Sequence, residues 1–401
     1  MNHSDKERGL TRDLGVLRVG DGILCREGGG WVSQGYYQYD EIVDAFARAG
    51  RSIDLSGFGR ILELNGKRTF ALDPQKIRPC GVRVSGRGVL PLLSKAGTIV
   101  TALRREMARC DVVWAMLPSM LGLFAVEVAS RWKPCITQLV GDPEESIARR
   151  SSDFKDAAAS WLGARLVRRA VAKADGAIFV SEALKRKYLP GSQPRWLVAN
   201  ESRIPGDEVL SAVEIDAGND KAATLIYVGR LTGEKGVDVL LRALAQLPQV
   251  CLRIVGDGPL RPHLEKLARR LAIETRVHFA GWQPWNREFL KRIRGHLALV
   301  LPSYTEGLGL VLLEAMSQGV PVVGSAVGGV PEIVQHEVTG LLVPPGNVEA
   351  LAGAIERLRC SLELRQRLAA AALQVARSHT AEAEYGKMVD FMLATVTRKC
   401  N

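Results

Sequence analysis

Hydrophobic and polar positions fall into short blocks that change period along most of the chain. Continuous apolar runs at 111–117, 134–140, 177–180, 224–228, 251–255, 297–303 and 321–325 read as strands buried on both faces. Between them, apolar positions recur at helical spacing over 119–131, 156–174, 237–247, 260–271 and 287–294. Such alternation predicts α/β architecture with parallel sheets covered on both sides. The first ninety residues are less regular. They predict a strand over 14–24 broken at Gly20–Gly22, a helix over 33–49 stopped by Gly50, and a short strand over 52–56. Segments 61–64 and 69–72 flank Asn65-Gly66 as a hairpin, and 90–109 reads as one helix. The helix over 156–174 sets Arg165, Arg168, Arg169 and Lys173 opposite Trp161, Leu162, Leu166 and Val167.

The pattern stops at 205–221, which is polar and aperiodic, and then starts afresh. That divides the chain into an N-terminal domain, 1–205, and a C-terminal domain, 206–380, with 381–401 as a further helix. Two successive α/β sheets on one linker imply a cleft between them, the default place for a ligand. A chain of 401 residues is also too long for one ordinary core. The apolar stretch 112–130 is interrupted by Pro118, Gly122 and Glu127, and reads as a strand followed by a helix rather than a membrane span.

Composition changes the picture little, but the placement of charge changes it more. Residues 51–200 carry 25 Lys and Arg against 13 Asp and Glu, whereas 201–401 carry 23 against 22. Nearly all of the net +11 therefore lies in the first half, as a surface that attracts phosphates or an anionic membrane. The seven cysteines are scattered with no CxxC pair, and no apolar leader opens the chain. The expectation is a reduced, cytoplasmic protein, peripheral on the inner face of the membrane, without a disulfide framework or metal-ligand spacing.

Candidate chemistry concentrates in the second half. The strand over 224–228 ends in Gly229-Arg230-Leu231 and then Gly233-Glu234-Lys235-Gly236 before a helix. A glycine-rich strand-to-helix turn offers free backbone amides to a phosphate, and Arg230 and Lys235 add full charges beside them. No Walker motif is present. The next strand ends in Gly256-Asp257-Gly258-Pro259. Further on, Glu306-Gly307-Leu308-Gly309 leaves a buried strand and leads into a helix carrying Glu314. The two glutamates stand on different elements and read as facing one pocket.

In this order, VGRLTGEKGVDVLLRA, IVGDGP, VHFAG, PSYTEGLGLVLLEAMSQGVPVVGSAVGGVPEIV and TGLLVPPGN resemble the C-terminal domain of glycosyltransferase family 4 over about 223–346. The layout of 14–205 is more weakly similar. The resemblance implies a GT-B fold of two facing Rossmann-like domains, and transfer from a nucleotide-diphosphate sugar with retention of anomeric configuration. It implies that Arg230 and Lys235 bind the donor diphosphate, that Glu306 contacts the transferred sugar and that Glu314 binds the ribose hydroxyls. Backbone at Gly229, Gly307, Leu308 and Gly309 would meet sugar and phosphate, with Gly256 at the base and Gly29 and Gly30 closing from the N-terminal side. It further implies that the last helix crosses back onto the first domain.

The expected partners are the nucleotide sugar, a glycan, lipid-linked or small-molecule acceptor of the kind used in cell-surface polysaccharide synthesis, and an anionic membrane surface, but not nucleic acid. With no DxD sequence in the chain, no cofactor and no metal is expected for the chemistry. Departures lie on the acceptor side. Val140-Gly141-Asp142 stands where many members carry a histidine, which makes Asp142 a candidate catalytic substitute or a turn residue. Two alternatives stay open: another GT-B enzyme such as a sugar-nucleotide epimerase, and a non-catalytic nucleotide-sugar-binding protein.

Overall fold

A computed structural model describes residues 13–27, 30–34, 39–62, 69–84, 90–144, 154–189, 191, 194–213 and 223–400. The chain forms two parallel-sheet α/β domains facing one another across a cleft. Strands of the first sheet are β1 (Leu14–Glu27), β2 (Gly30–Gln34), β3 (Ile53–Ile61), β4 (Thr69–Ala71) and β5 (Ile77–Arg83). They are followed by β6 (Val112–Leu117), β7 (Cys135–Leu139), β8 (Gly176–Phe179) and β9 (Arg195–Val198). The parallel core runs β5-β3-β1-β6-β7-β8-β9, and β2 and β4 extend it antiparallel from the far end of β1. Every residue of β6 and β7 is buried, as strands covered on both faces must be.

Several expectations for this half are corrected. β1 continues through Gly20–Gly22, where its register against β3 shifts, so the glycines mark a bulge rather than an end. Ser33 belongs to β2, and the helix begins at Tyr39. Thr69–Ala71 pairs with β2, not with β3, so 61–72 is not a simple hairpin; Asn65-Gly66 lies outside the described residues. β5 was not anticipated, because its Arg, Pro and Gly hide the strand period. The helix expected over 90–109 is two, Leu90–Leu93 and Ala96–Met107. In helix Phe154–Lys173, Val167 is buried, but Trp161, Leu162 and Leu166 are 59%, 51% and 39% exposed. The buried stripe is instead Ala164, Val167, Ala170 and Val171, small and branched residues that let this helix pack closely beside Met120–Ala129.

The second sheet contains β10 (Ala223–Val228), β11 (Val250–Val255), β12 (Val277–Gly281), β13 (Ala298–Leu301), β14 (Val322–Ser325) and β15 (Leu341–Val343). All pairings are parallel, in the order β12-β11-β10-β13-β14-β15. The order reverses between β10 and β13, the switch point at which exit loops diverge and leave a crevice. Helices Val348–Cys360 and Leu362–Ser378 pack against this domain. Helix Ala381–Cys400 returns to the first one. There Tyr385, Met388 and Met392 enter the core beside Phe46 and Trp114, with Phe46 and Tyr385 ring centroids 5.1 Å apart. Ion pairs Arg48–Glu382 and Lys399–Asp175, 2.9 and 2.6 Å, flank that contact. Among the described residues no helix is long and apolar enough to cross a membrane.

Candidate functional site

The exit loops of β10 and β13 meet at the switch point of the second sheet. After β10 the chain makes one tight turn, Gly233–Lys235, before helix Val237–Ala245. Gly236 closes that turn at φ +62°, where a Cβ would fall 2.2 Å from the Pro302 carbonyl oxygen, so only glycine lets the loops approach. The Tyr304 N–H donates to the Glu234 carbonyl at 2.8 Å and locks the loops together. This places Lys235 Nζ 2.7 Å from Glu306 Oε1, and the Ser303 hydroxyl donates to the same oxygen at 2.8 Å. Both side chains of the ion pair are largely buried, 17% and 10% exposed. The sequence-predicted cation and carboxylate, 71 residues apart, are thus direct partners.

Arg230 lies beside them but reaches outward. Its guanidinium is 3.5 Å from Glu234, and the side chain is 55% exposed. The loop backbone is tied down from below, since the Tyr227 hydroxyl donates to the Arg230 carbonyl at 2.9 Å. An exposed cation over a tied-down loop suits an anionic ligand that arrives from solvent.

A cavity of about 180 Å³ opens beside this pair, lined by Gly229, Gly256, Trp282, Trp285, Arg203 and Glu314 among others. Its floor depends on close backbone packing: a Cβ on Gly256, at φ +146°, would fall 1.8 Å from the Gly229 carbonyl oxygen. Glu314 comes from helix Leu310–Ser317 and is buried. Burial pushes its carboxyl up, while the field of Arg203 and the Trp285 indole oppose that shift. The two glutamates therefore serve different compartments, Glu314 the cavity and Glu306 the Lys235 loop.

Gly309, at φ +87°, starts the Glu314 helix, and Leu308 is buried beneath it. Gly307 faces the other domain, where a Cβ would sit 2.5 Å from the Val140 carbonyl oxygen. A second contact crosses the cleft: the Glu332 carboxylate accepts N–H donors from Glu182 and Ala183, each at 2.8 Å. Glu332 was not singled out from sequence. Its only signal was a carboxylate in the helix that follows the glycine-rich Val327–Gly329 turn.

On the first domain the structure places Asp142 away from any open surface. Its carboxylate accepts from Lys187 Nζ and the Tyr188 hydroxyl, each at 2.6 Å, and from the Glu144 N–H at 2.9 Å. Burial, reinforced by that carboxylate, pushes the Tyr188 hydroxyl well above its ordinary range. The side chain is 6% exposed and its hydrogen bonds are internal. Gly30 opens β2, and Gly29 lies outside the described residues. Of the second-half histidines, His296 contacts the Ile293 carbonyl and His336 accepts from the Leu342 N–H, both structural contacts.

With this geometry in place, residues 213–375 match the family model described as Glycosyl transferases group 1. The alpha-D-kanosaminyltransferase of Streptomyces kanamyceticus is 34% identical over 53% of this chain and 58% of its own length. The lipopolysaccharide core biosynthesis glycosyltransferase LpsE of Rhizobium meliloti is 40% identical over 37% of this chain and 43% of its own. The chain thus spans less than two thirds of these curated relatives. The fold match is more complete. Sucrose-phosphate synthase from Thermosynechococcus elongatus superposes with a TM-score of 0.73 at 22% identity, covering 96% of this chain and 100% of that one. HepE of Anabaena, solved with UDP and glucose, gives 0.66 at 18% identity over 95% and 100%. The two-domain GT-B fold is shared with these proteins.

Proposed function

We propose that this protein is a glycosyltransferase that moves a sugar from a nucleotide-diphosphate donor with retention of configuration. The observation that carries the reading is the Lys235–Glu306 pair at the switch point, beside a cavity walled by Gly229, Gly256 and Glu314. The relatives' names, all transferases of sugars, and the UDP held by HepE support it.

In this mechanism the nucleoside enters the cavity and its ribose hydroxyls donate to Glu314. The diphosphate lies across the loop amides, where Lys235 and Arg230 stabilise the negative charge that develops on it as the glycosidic bond breaks. The transferred sugar passes through an oxocarbenium-like state, and Glu306 faces it as a fixed anion. The acceptor hydroxyl approaches from the side the diphosphate leaves, and a phosphate oxygen takes its proton. No residue of the chain is asked to form a covalent intermediate. The metal-free character of the chemistry belongs to the same proposal, to be checked by activity in excess chelator.

The acceptor, in this reading, is a glycan or lipid-linked molecule presented at an anionic membrane surface. Support comes from the basic surplus of 51–200 and from the exposed Trp161, Leu162 and Leu166, with Arg165 stacked 5.5 Å over the Trp161 ring. Sedimentation with anionic vesicles tests this part: binding that weakens as salt rises supports it, and none at low salt removes it.

The central test is turnover of UDP-, GDP- and ADP-sugars with acceptor extracts, with the anomeric configuration of the product read by NMR. Transfer with retention supports the proposal. Conversion of the donor to another sugar nucleotide without transfer would favour an epimerase, and nucleotide-sugar binding without turnover would favour a binding protein.

A further inference from the structure

The connection between the domains delivers a cation to the cavity of the second one. Residues 200–205 are held at both ends: the Asn200 N–H donates to Glu384 at 2.9 Å, and the Ile204 carbonyl accepts the Ala381 N–H at 2.7 Å. Ile204 itself is buried in the core of the second domain. Arg203 lies between these fixed points. Its guanidinium stands over the Trp285 ring, 5.0 Å from the centroid, and 3.7 Å from Glu314 Oε1.

The surroundings give that contact its weight. Among the residues lining the cavity, Arg203 and Glu314 are the charged pair; Val228, Val255, Phe289, Leu310 and Val311 are apolar. Glu314 is buried, so its ionised form depends on a compensating charge. The cavity is lined by Arg203 from the connection, by Gly229 and Gly256 with the valines before them at the exits of β10 and β11, and by Trp282, Gln283 and Trp285 from the loop after β12. Arg203 alone of these is charged.

We propose that Arg203 is a positioning residue for nucleotide recognition: from the interdomain connection it holds Glu314 as an anionic acceptor for the ribose hydroxyls and closes the nucleoside side of the cavity against Trp285. This rests on the reading of the cavity as a nucleotide site and goes beyond it, because it makes occupancy of the second domain dependent on a residue of the connection. A sugar nucleotide that seats its ribose on Glu314 also engages the segment that sets how the domains are joined.

Calorimetric titration of the full-length chain with UDP, GDP and ADP separately, from pH 5.5 to 8.5, tests the assignment. In the wild type, burial pushes the Glu314 carboxyl up and Arg203 opposes that push, so its affinity profile for the preferred nucleotide, corrected for the phosphate's own titration measured with free nucleotide, is the reference. In Arg203→Met the uncompensated carboxyl titrates higher. Affinity at pH 6 then falls by on the order of tenfold below the wild type and recovers as pH rises. Arg203→Lys restores the wild-type profile, and in turnover Arg203→Met raises the donor KM while kcat changes little. A circular-dichroism melt identifies any variant that fails to fold; if Arg203→Met does, Arg203→Gln serves as the neutral variant, with the same expected loss at pH 6.

Arg203→Met binding within twofold of wild type with the same pH profile overturns the inference and leaves the nucleotide site standing. If no nucleotide binds the wild type, both fall.

Discussion

Replacing Lys235 by alanine separates what the Lys235–Glu306 pair does for folding from the role in catalysis proposed for it. At 2.7 Å and an effective dielectric of about 20, the gross attraction is about 6 kcal/mol. Desolvation of two groups only 17% and 10% exposed cancels much of that. What remains when one partner is deleted is the cost of a largely buried carboxylate held, among the described residues, by Ser303, about 3 kcal/mol. In a domain of this size that lowers Tm by roughly 6–12 °C. Glu306→Gln removes the charge that Lys235 answers, so adding Lys235→Ala to it should cost far less stability than in the wild type.

Catalysis should not follow the same cycle. If Lys235 stabilises charge on the departing diphosphate, its loss lowers kcat by about 10²–10³ in either background. Scanning calorimetry and initial-rate kinetics on the four proteins give both quantities. A kcat within about threefold of the parent after Lys235→Ala would refute the leaving-group role and reduce the pair to a structural bridge.

Gly256→Ala should abolish nucleotide binding and lower stability by at least about 2 kcal/mol, because its Cβ would fall 1.8 Å from the Gly229 carbonyl oxygen at φ +146°; a normal calorimetric titration would contradict the packing argument. Glu332→Gln weakens two charge-assisted hydrogen bonds across the cleft and should raise the radius of gyration measured by small-angle scattering, whereas superimposable curves would show that the clamp is unimportant in solution. Glu384 anchors the crossing helix: burial opposes its ionised form, but bonds from His379, Lys387 and the Asn200 N–H outweigh that and leave its carboxyl below the ordinary range. Its contribution is complete above the unfolded-state pKa and is lost as pH falls through the lower folded value, so Glu384→Gln should flatten the acid limb of a stability–pH curve. An acid limb equally steep in the variant would assign that loss to other carboxylates.

The site of the second domain was legible because its chemistry is local in sequence. Gly229-Arg230, Gly233–Gly236 and Glu306–Gly309 each sit on one strand exit, and a parallel sheet gathers its exits at one edge. The first domain was less so. Asp142 stood at the right strand exit, but whether its carboxylate faced a ligand or its own fold depended on Lys187 and Tyr188, about 45 residues later. The apolar stripe of helix Phe154–Lys173 was misassigned for a related reason. Helical spacing fixes which residues share a face, not which face the neighbouring helix covers.

By itself the sequence determined the two parallel α/β sheets, since continuous buried strands alternating with helices have few other solutions, and it marked the loops that carry the chemistry. Tertiary structure alone decided who answers whom. It set Lys235 against Glu306, gave Glu314 to a separate cavity, and brought Arg203 from the interdomain connection to stand over it. These partners lie on different elements, 71 residues apart for Lys235 and Glu306 and 111 for Arg203 and Glu314, and only packing of the sheets and their connection fixes the few ångströms on which a charge–charge contact depends.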